Sequence, residues 1–440
     1  MVSKYVMILL LFLSLSIIAT PRILVLCPCT VDYRELNLIK GYDYIFHSYA
    51  TAELESLLAP GSRSLQNYAV PDIAQELHNL NMLYGNSVDA VISTDDFPGT
   101  ILAALFAEAN HLVGSSPQAV LACQHKYVSR CIQHAIVPQA TPLFVLIKRG
   151  SLPPFDIPFF IKPQRACFSV GASPVRSSIE YVRAIERAVI PQGFCDPFNT
   201  LLAQYTHLPL INSQQVLAEE FLSGHQATIE GFVCNGCVVI LGIVDSIMIP
   251  GTLSFDRFEY PSSLPDIIQK RMSDIATRCM YGFAYRNGFF NIEFFYNPSR
   301  DALSIIEINP RLSYQFADLY EKVDGTNSYQ LLLDCALGKK PIFKRGCGKY
   351  TMAASCVMRC MTDALVVSVS DDYTEIYRRY PDVRIEITVK PGKYLSEYIQ
   401  DENSFFYGTI NCGGKNRDEI TKIFHDCRAR LPLVLKSNSR

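Results

Sequence analysis

At 440 residues with 49% hydrophobic side chains, the chain is long enough to bury two or three ordinary cores, which excludes a single small domain. A formal net charge of −2 gives no basic stripe to follow a nucleic-acid backbone, so nucleic acid is not an expected partner. Fifteen cysteines, odd in number and scattered, match neither a disulfide framework nor paired zinc knuckles and read as reduced thiols, most of them buried.

The first feature in chain order is Lys4 followed by an apolar run from Val6 to Ala19. It resembles the charged and apolar parts of a secretory signal, yet Ser16-Ile17-Ile18-Ala19-Thr20-Pro21 lacks two small residues at cleavage spacing, and the run is short for a membrane span. Residues 1–20 are read as a signal, a shallow anchor giving weak membrane association, or an extension upstream of the true start. Arg22 to Cys27 and Ser87 to Ser93 read as short buried strands with helical patterning between and after them, which predicts a doubly wound α/β domain over residues 21–115. A two-lobed region follows over 116–341, with lobes of about 116–213 and 214–341, and a small α+β lobe over 342–440.

In the first of these lobes, Pro117 to Gln133 is predicted helical, and strands are expected at Leu143 to Ile147 and Pro158 to Lys162. The second is strand-rich from Gln214 to Ser246, helical from Leu264 to Tyr281 and strand-rich again from Gly288 to Ile308. Cys234-Asn235-Gly236-Cys237 has metal or redox spacing, but Asn-Gly between two β-type runs predicts a type I′ hairpin turn instead. The last lobe carries expected strands near Thr351 to Arg359 and Arg384 to Val389, then a helix from Arg417 to Leu431.

Phe289 to Pro310 is two apolar runs joined by Asn297-Pro298-Ser299-Arg300-Asp301, a loop by composition. In an antiparallel hairpin centred on Arg300, Glu293 stands opposite Glu307 and Asn291 opposite Asn309, all on one face, because side chains alternate with period two. Phe290, Ile292, Phe294, Ile306 and Ile308 are expected on the other, buried face. Opposed Cβ atoms lie roughly 4.5–5.5 Å apart, where like charges repel. A hard divalent cation, Mg²⁺ or Mn²⁺, would relieve that repulsion through the oxygens of Glu293, Glu307 and Asn309. Arg311, two residues on, would reach charge developing on a transferred phosphoryl group.

Glu293 with Ile306-Glu307-Ile308-Asn309-Pro310-Arg311 resembles the metal and phosphate signature of the ATP-grasp enzymes, and the upstream segments fall in that family's order. Ala122-Cys123-Gln124-His125-Lys126 is similar to the helix whose lysine reaches the nucleotide phosphates, and Phe159-Phe160-Ile161-Lys162-Pro163 to the strand with the second phosphate lysine. Lys162 has its own argument as well: it follows a strand that should be buried and so needs an anionic partner, of which ATP is one. Leu217-Ala218-Glu219-Glu220-Phe221-Leu222 resembles the adenine hinge, which implies Glu219 on the adenine amino group, backbone contacts from Glu220 and Leu222, and Phe221 in the core. Gln226 stands where the family often carries the acid of the ribose hydroxyls. The loop Gln164 to Gly171 is poorer in glycine than the family's phosphate-covering loop, with Ser169 and Gly171 matching it.

The resemblance implies a cytoplasmic, ATP-dependent ligase with Mg²⁺ or Mn²⁺ that activates a small-molecule carboxylate as an acylphosphate and joins it to an amine. Arg257, in a Gly-, Ser- and aromatic-rich stretch from Asp245 to Tyr260, is a candidate fork for the acid. Because ATP is consumed in the cytoplasm, the anchor and the upstream extension are the preferred readings of residues 1–20. The alternatives are a biotin-type carboxylase and a non-catalytic ATP-binding regulatory or scaffold protein. The sequence sets no oligomeric state.

Overall fold

A computed structural model describes residues 20–48, 72–166, 171–189, 192–206, 214–252, 254–398 and 404–437. Residues 1–19, and with them the apolar leader, lie outside the described residues, as does Ser169 of the phosphate-covering loop. No described helix is long and apolar enough to cross a membrane.

Strands β1 (Arg22–Leu26), β2 (Asp43–His47) and β3 (Ala90–Ile92) form a parallel sheet in the order β2-β1-β3. Parallel neighbours need crossover connections, and helices Thr30–Leu38 and Ile73–Tyr84 lie along them. The domain is tied to later parts of the chain through buried Asp32, whose carboxylate accepts from Thr94 Oγ1 and from Tyr329 Oη, each at 2.7 Å.

The first lobe begins with helices Pro117–Gln124 and Lys126–Ile136, separated at His125, whose Nδ1 caps the second by accepting from the Val128 N–H. Its antiparallel sheet consists of β4 (Phe144–Lys148), β5 (Phe159–Pro163), β6 (Ser173–Val175) and β7 (Gln215–Glu220), in the order β4-β7-β5-β6. Helix Ser178–Ala188 covers one face, packing Tyr181, Ala184 and Ile185 against Phe159, Ile161 and Val175. The hinge strand β7 therefore hydrogen-bonds in this lobe, with β4 and β5 on either side.

The remaining strands are β8 (His225–Cys234), β9 (Cys237–Met248), β10 (Phe255–Tyr260), β11 (Gly288–Asn297), β12 (Ala302–Asn309), β13 (Met352–Cys360), β14 (Ala364–Val369), β15 (Arg384–Ile387), β16 (Phe405–Gly414) and β17 (Leu433–Ser437). Eight of them make one sheet, β12-β11-β8-β9-β10-β13-β16-β15, while β14 and β17 form a ribbon. The second lobe and the C-terminal lobe are thus joined edge to edge through β10 and β13. The β8–β9 turn is the hairpin expected at Asn235-Gly236, with φ of +50° and +78° at its two central residues. Every cysteine whose side chain is described is a free thiol.

Strand alternation sorts β11 as expected: Phe290, Ile292 and Phe294 are fully buried against Ile268, Met272, Ile275 and Cys279 of helix Asp266–Gly282. Each buried side chain of this size contributes about 1.5–3 kcal/mol. The opposite face, with Asn291 and Glu293, forms the floor of a cleft between this sheet and the first lobe.

Candidate active site

The hairpin register pairs Glu293 with Glu307 and Asn291 with Asn309, as the sequence pattern requires. Immediately beyond, a bulge shifts the register so that Phe294 opposes Ile305. One expectation is corrected by it. Ile305, fully buried, takes the core position, while Ile306 is half-exposed and lines the cleft, because the extra residue turns it to the other side. The freed Ile306 carbonyl becomes part of the site, accepting from Arg130 Nη2 at 2.7 Å and from Lys162 Nζ at 3.3 Å.

The facing carboxylates do not share their charge evenly. Burial and the neighbouring Glu307 push the Glu293 carboxyl up to about 8. Glu307 is half-buried, and Lys126, whose Nζ lies 2.8 Å from Oε2, overrides the loss of water and draws it down to about 2. Asn309 lies beside the pair and donates to Asn291 Oδ1 at 3.4 Å. Arg311 does not neutralise the pair; it grips Asp96 of the N-terminal domain at two points, 3.1 and 3.3 Å.

The opposite wall belongs to the first lobe. Lys162 is buried, and its anionic partner is a side chain of the same chain: Nζ lies 2.8 Å from Glu219 Oε2. Burial, against the pull of Glu219, lowers its ammonium to about 8. Arg130, on the inward face of helix Lys126–Ile136, grips the same carboxylate at 2.7 and 3.2 Å. Burial alone would raise Glu219, and the two cations instead hold it below the ordinary carboxylate range.

Within the hinge, the Glu220 N–H is committed to the Leu143 carbonyl at 3.0 Å. Phe221 is corrected from core to cleft: it is half-buried, lines the opening, and lies under the Arg176 guanidinium at 5.7 Å. Leu222 also lines the cleft. Gln226 projects from β8 toward the carboxylate pair, donating to Glu293 Oε2 at 3.3 Å. Gly171 adopts φ of +73° against the end of helix Ser178–Ala188, where a Cβ would come 2.8 Å from the Arg187 carbonyl. Arg257 is corrected as a substrate fork: its guanidinium bonds Glu259 at 2.6 Å and Asp256 at 2.5 Å, and it is not among the residues lining the cleft.

Sequence reasoning missed Asp96, Arg130 and Arg165, all of which line the cleft. Arg130 had a visible signal, since helix Lys126–Ile136 places Val128 and Arg130 among buried positions of an otherwise amphipathic segment. Asp96 had none, because its partner stands 215 residues away. Lys126, Lys162, Glu219, Phe221, Leu222, Gln226, Glu293, Glu307, Asn309 and Arg311 all border this one cleft, whose volume is about 630 Å³.

Residues 155–319 match the ATP-grasp domain family. No curated protein matched the sequence. Among solved structures the fold is similar to an L-amino acid ligase from Bacillus licheniformis, at 15% identity and a TM-score of 0.70, covering 94% of this chain and 98% of that one. It is also similar to the biotin carboxylase domain of 2-oxoglutarate carboxylase from Hydrogenobacter thermophilus, solved with MgADP, ADP and bicarbonate. There the identity is 12% and the TM-score 0.64, over 94% and 91% of the two chains. A phosphoribosylglycinamide synthetase from Anaerococcus prevotii matches at 13% and 0.60, over 94% and 100%. At these identities the likeness concerns the fold, and it spans nearly the whole of each chain. The family match falls within the two lobes that enclose the cleft, so residues 155–319 are what the chain has in common with the ATP-grasp domain family, and the fold likeness extends beyond them.

Proposed function

We propose that this chain is an ATP-dependent ligase that activates a small-molecule carboxylate as an acylphosphate and joins it to an amine, releasing ADP and phosphate. The observation that carries the reading is the opposition of Glu293 and Glu307 on the cleft floor beneath Lys126 and Lys162. ATP would lie between the lobes, with its adenine at the hinge. Since the Glu220 N–H is occupied, that residue would contribute its carbonyl, beside Leu222 and the Phe221 ring.

A divalent cation fits the donors present. Burial and the facing Glu307 hold the Glu293 carboxyl near 8, a cost a cation would relieve, and Glu307 and Asn309 add the oxygens a hard cation prefers. Bound there, Mg²⁺ or Mn²⁺ would screen phosphoryl charge as a Lewis acid. The chain's own cations do the rest. Lys126 and Lys162 would neutralise the phosphate oxygens, and Arg311, rigidly aimed by Asp96, would face charge gathering on the transferred group. A substrate carboxylate oxygen attacks the γ-phosphorus and ADP leaves; the amine then attacks the acyl carbon and phosphate leaves. No side chain need become covalently attached. Such a reaction draws on cytoplasmic ATP, which is where we place the chain.

ADP release with pooled carboxylates and amines tests the reading, and Glu307→Gln should lower the turnover about a hundredfold or more. The carboxylase reading, favoured by the similar carboxylase fold, requires turnover that depends on bicarbonate and biotin. Nucleotide binding with no substrate-dependent turnover would instead establish a regulatory or scaffold role.

A further inference from the structure

Three residues beyond Lys162, Arg165 is only 5% exposed and lines the same cleft. Its guanidinium carbon lies 4.7 Å from the centre of the Phe97 ring and 5.1 Å from that of Phe198. Its Nε meets no acceptor among the described residues. Arg130 and Arg311, which line the cleft with it, each grip a carboxylate at two points. Arg165 is bonded to no carboxylate; two aromatic rings flank it, and Asp95 feels its charge without bonding to it.

A guanidinium taken out of water without an acceptor is unfavourable, and the rings offset only part of that. They also fix its plane, which leaves the fork ready for a planar or tetrahedral oxyanion without further ordering. Its surroundings point to which anion. Lys126 Nζ, besides holding Glu307, donates to the carbonyl of Ala166, the residue after Arg165, at 3.1 Å. The Arg165 backbone is therefore one residue from a contact of the first phosphate lysine and three from the second.

We propose that Arg165 is a third cation of the nucleotide site, holding phosphoryl oxygens alongside Lys126 and Lys162, with Phe97 and Phe198 as the clamp that presents it. The proposal rests on the ATP reading above and adds to it a residue outside the metal hairpin and the adenine hinge. Phe97 belongs to the N-terminal domain and Phe198 to helix Gln192–Thr206 of the first lobe, so occupation of the fork would also tie these two parts around the phosphates.

Calorimetric titration of wild type, Arg165→Met and Arg165→Lys with ADP and with AMP, in the presence of Mg²⁺, tests it. The methionine variant should bind ADP about tenfold more weakly or worse, while AMP affinity stays within about twofold and lysine restores part of the loss. Its unliganded Tm should equal or exceed that of wild type, because a buried guanidinium with no bonded carboxylate has been removed. Unchanged ADP affinity in Arg165→Met overturns the assignment; a raised KM for the acid substrate alongside it would place the fork on the substrate carboxylate. A large drop in unliganded Tm, with both nucleotides weakened alike, overturns it in favour of a structural role. Wild type that binds neither nucleotide defeats the ATP reading itself, which is a different result from a variant that binds as well as wild type.

Discussion

The first lobe and the eight-stranded sheet both bring carboxylates to the cleft, and they balance them in opposite senses. On the first lobe a single carboxylate, Glu219, lies between two cations, Arg130 and Lys162. On the sheet two carboxylates, Glu293 and Glu307, face each other, and a single cation, Lys126, pairs with Glu307. Counted at full ionisation, the first cluster carries one positive charge over and the second one negative. A wall with surplus positive charge opposite a floor with surplus negative charge suits a polyanion carried on a divalent cation. It also separates the two: Glu219 is paired within the chain, whereas Glu293 faces a like charge.

The largest effect expected from breaking this contrast is at Glu219. Glu219→Gln leaves two buried cations side by side and should cost about 3–5 kcal/mol, read as a lowered denaturation midpoint. Glu293→Gln, in chemical terms the same change, should leave the unliganded protein as stable or more so, and it sharpens the comparison through pH. The folded carboxyl of Glu293 titrates near 8, above its ordinary 4.5. Its contribution is then fully present below about 4.5 and is lost as pH rises through about 8. The wild-type Tm should therefore decline across that window, and Glu293→Gln should decline less. Glu230, also raised to about 8, mainly by burial, leaves a residual slope. Added Mg²⁺ should lift the wild-type Tm most at the alkaline end, and a lift independent of pH would argue against a cation at Glu293. The smallest effect is at Gln226. Gln226→Ala removes one hydrogen bond to Glu293, about 0.5–1.5 kcal/mol, and should shift the Mg²⁺ dependence of ADP binding. A loss of affinity for the adenosine part at saturating Mg²⁺ would instead assign Gln226 to the ribose.

The pairing of Glu293 with Glu307 was readable from the chain alone, because a loop centre and a period of two fix which side chains meet across a hairpin. The Asn235-Gly236 turn was readable for a similar reason: two successive positive φ values suit few residue pairs. Lys162 showed that it would be buried, since it ends an apolar strand, but not that Glu219 would be its partner. The bulge that turned Ile306 into the cleft has no mark in composition, and it came from fitting two strands to a packed core. Asp96 with Arg311, Arg130 with Glu219, and Arg165 between Phe97 and Phe198 were decided only by tertiary packing. Local patterns state how a side chain points relative to its own neighbours. Which distant group meets it depends on how the lobes close around the cleft, and the charge balance of this site resides in those long-range pairs.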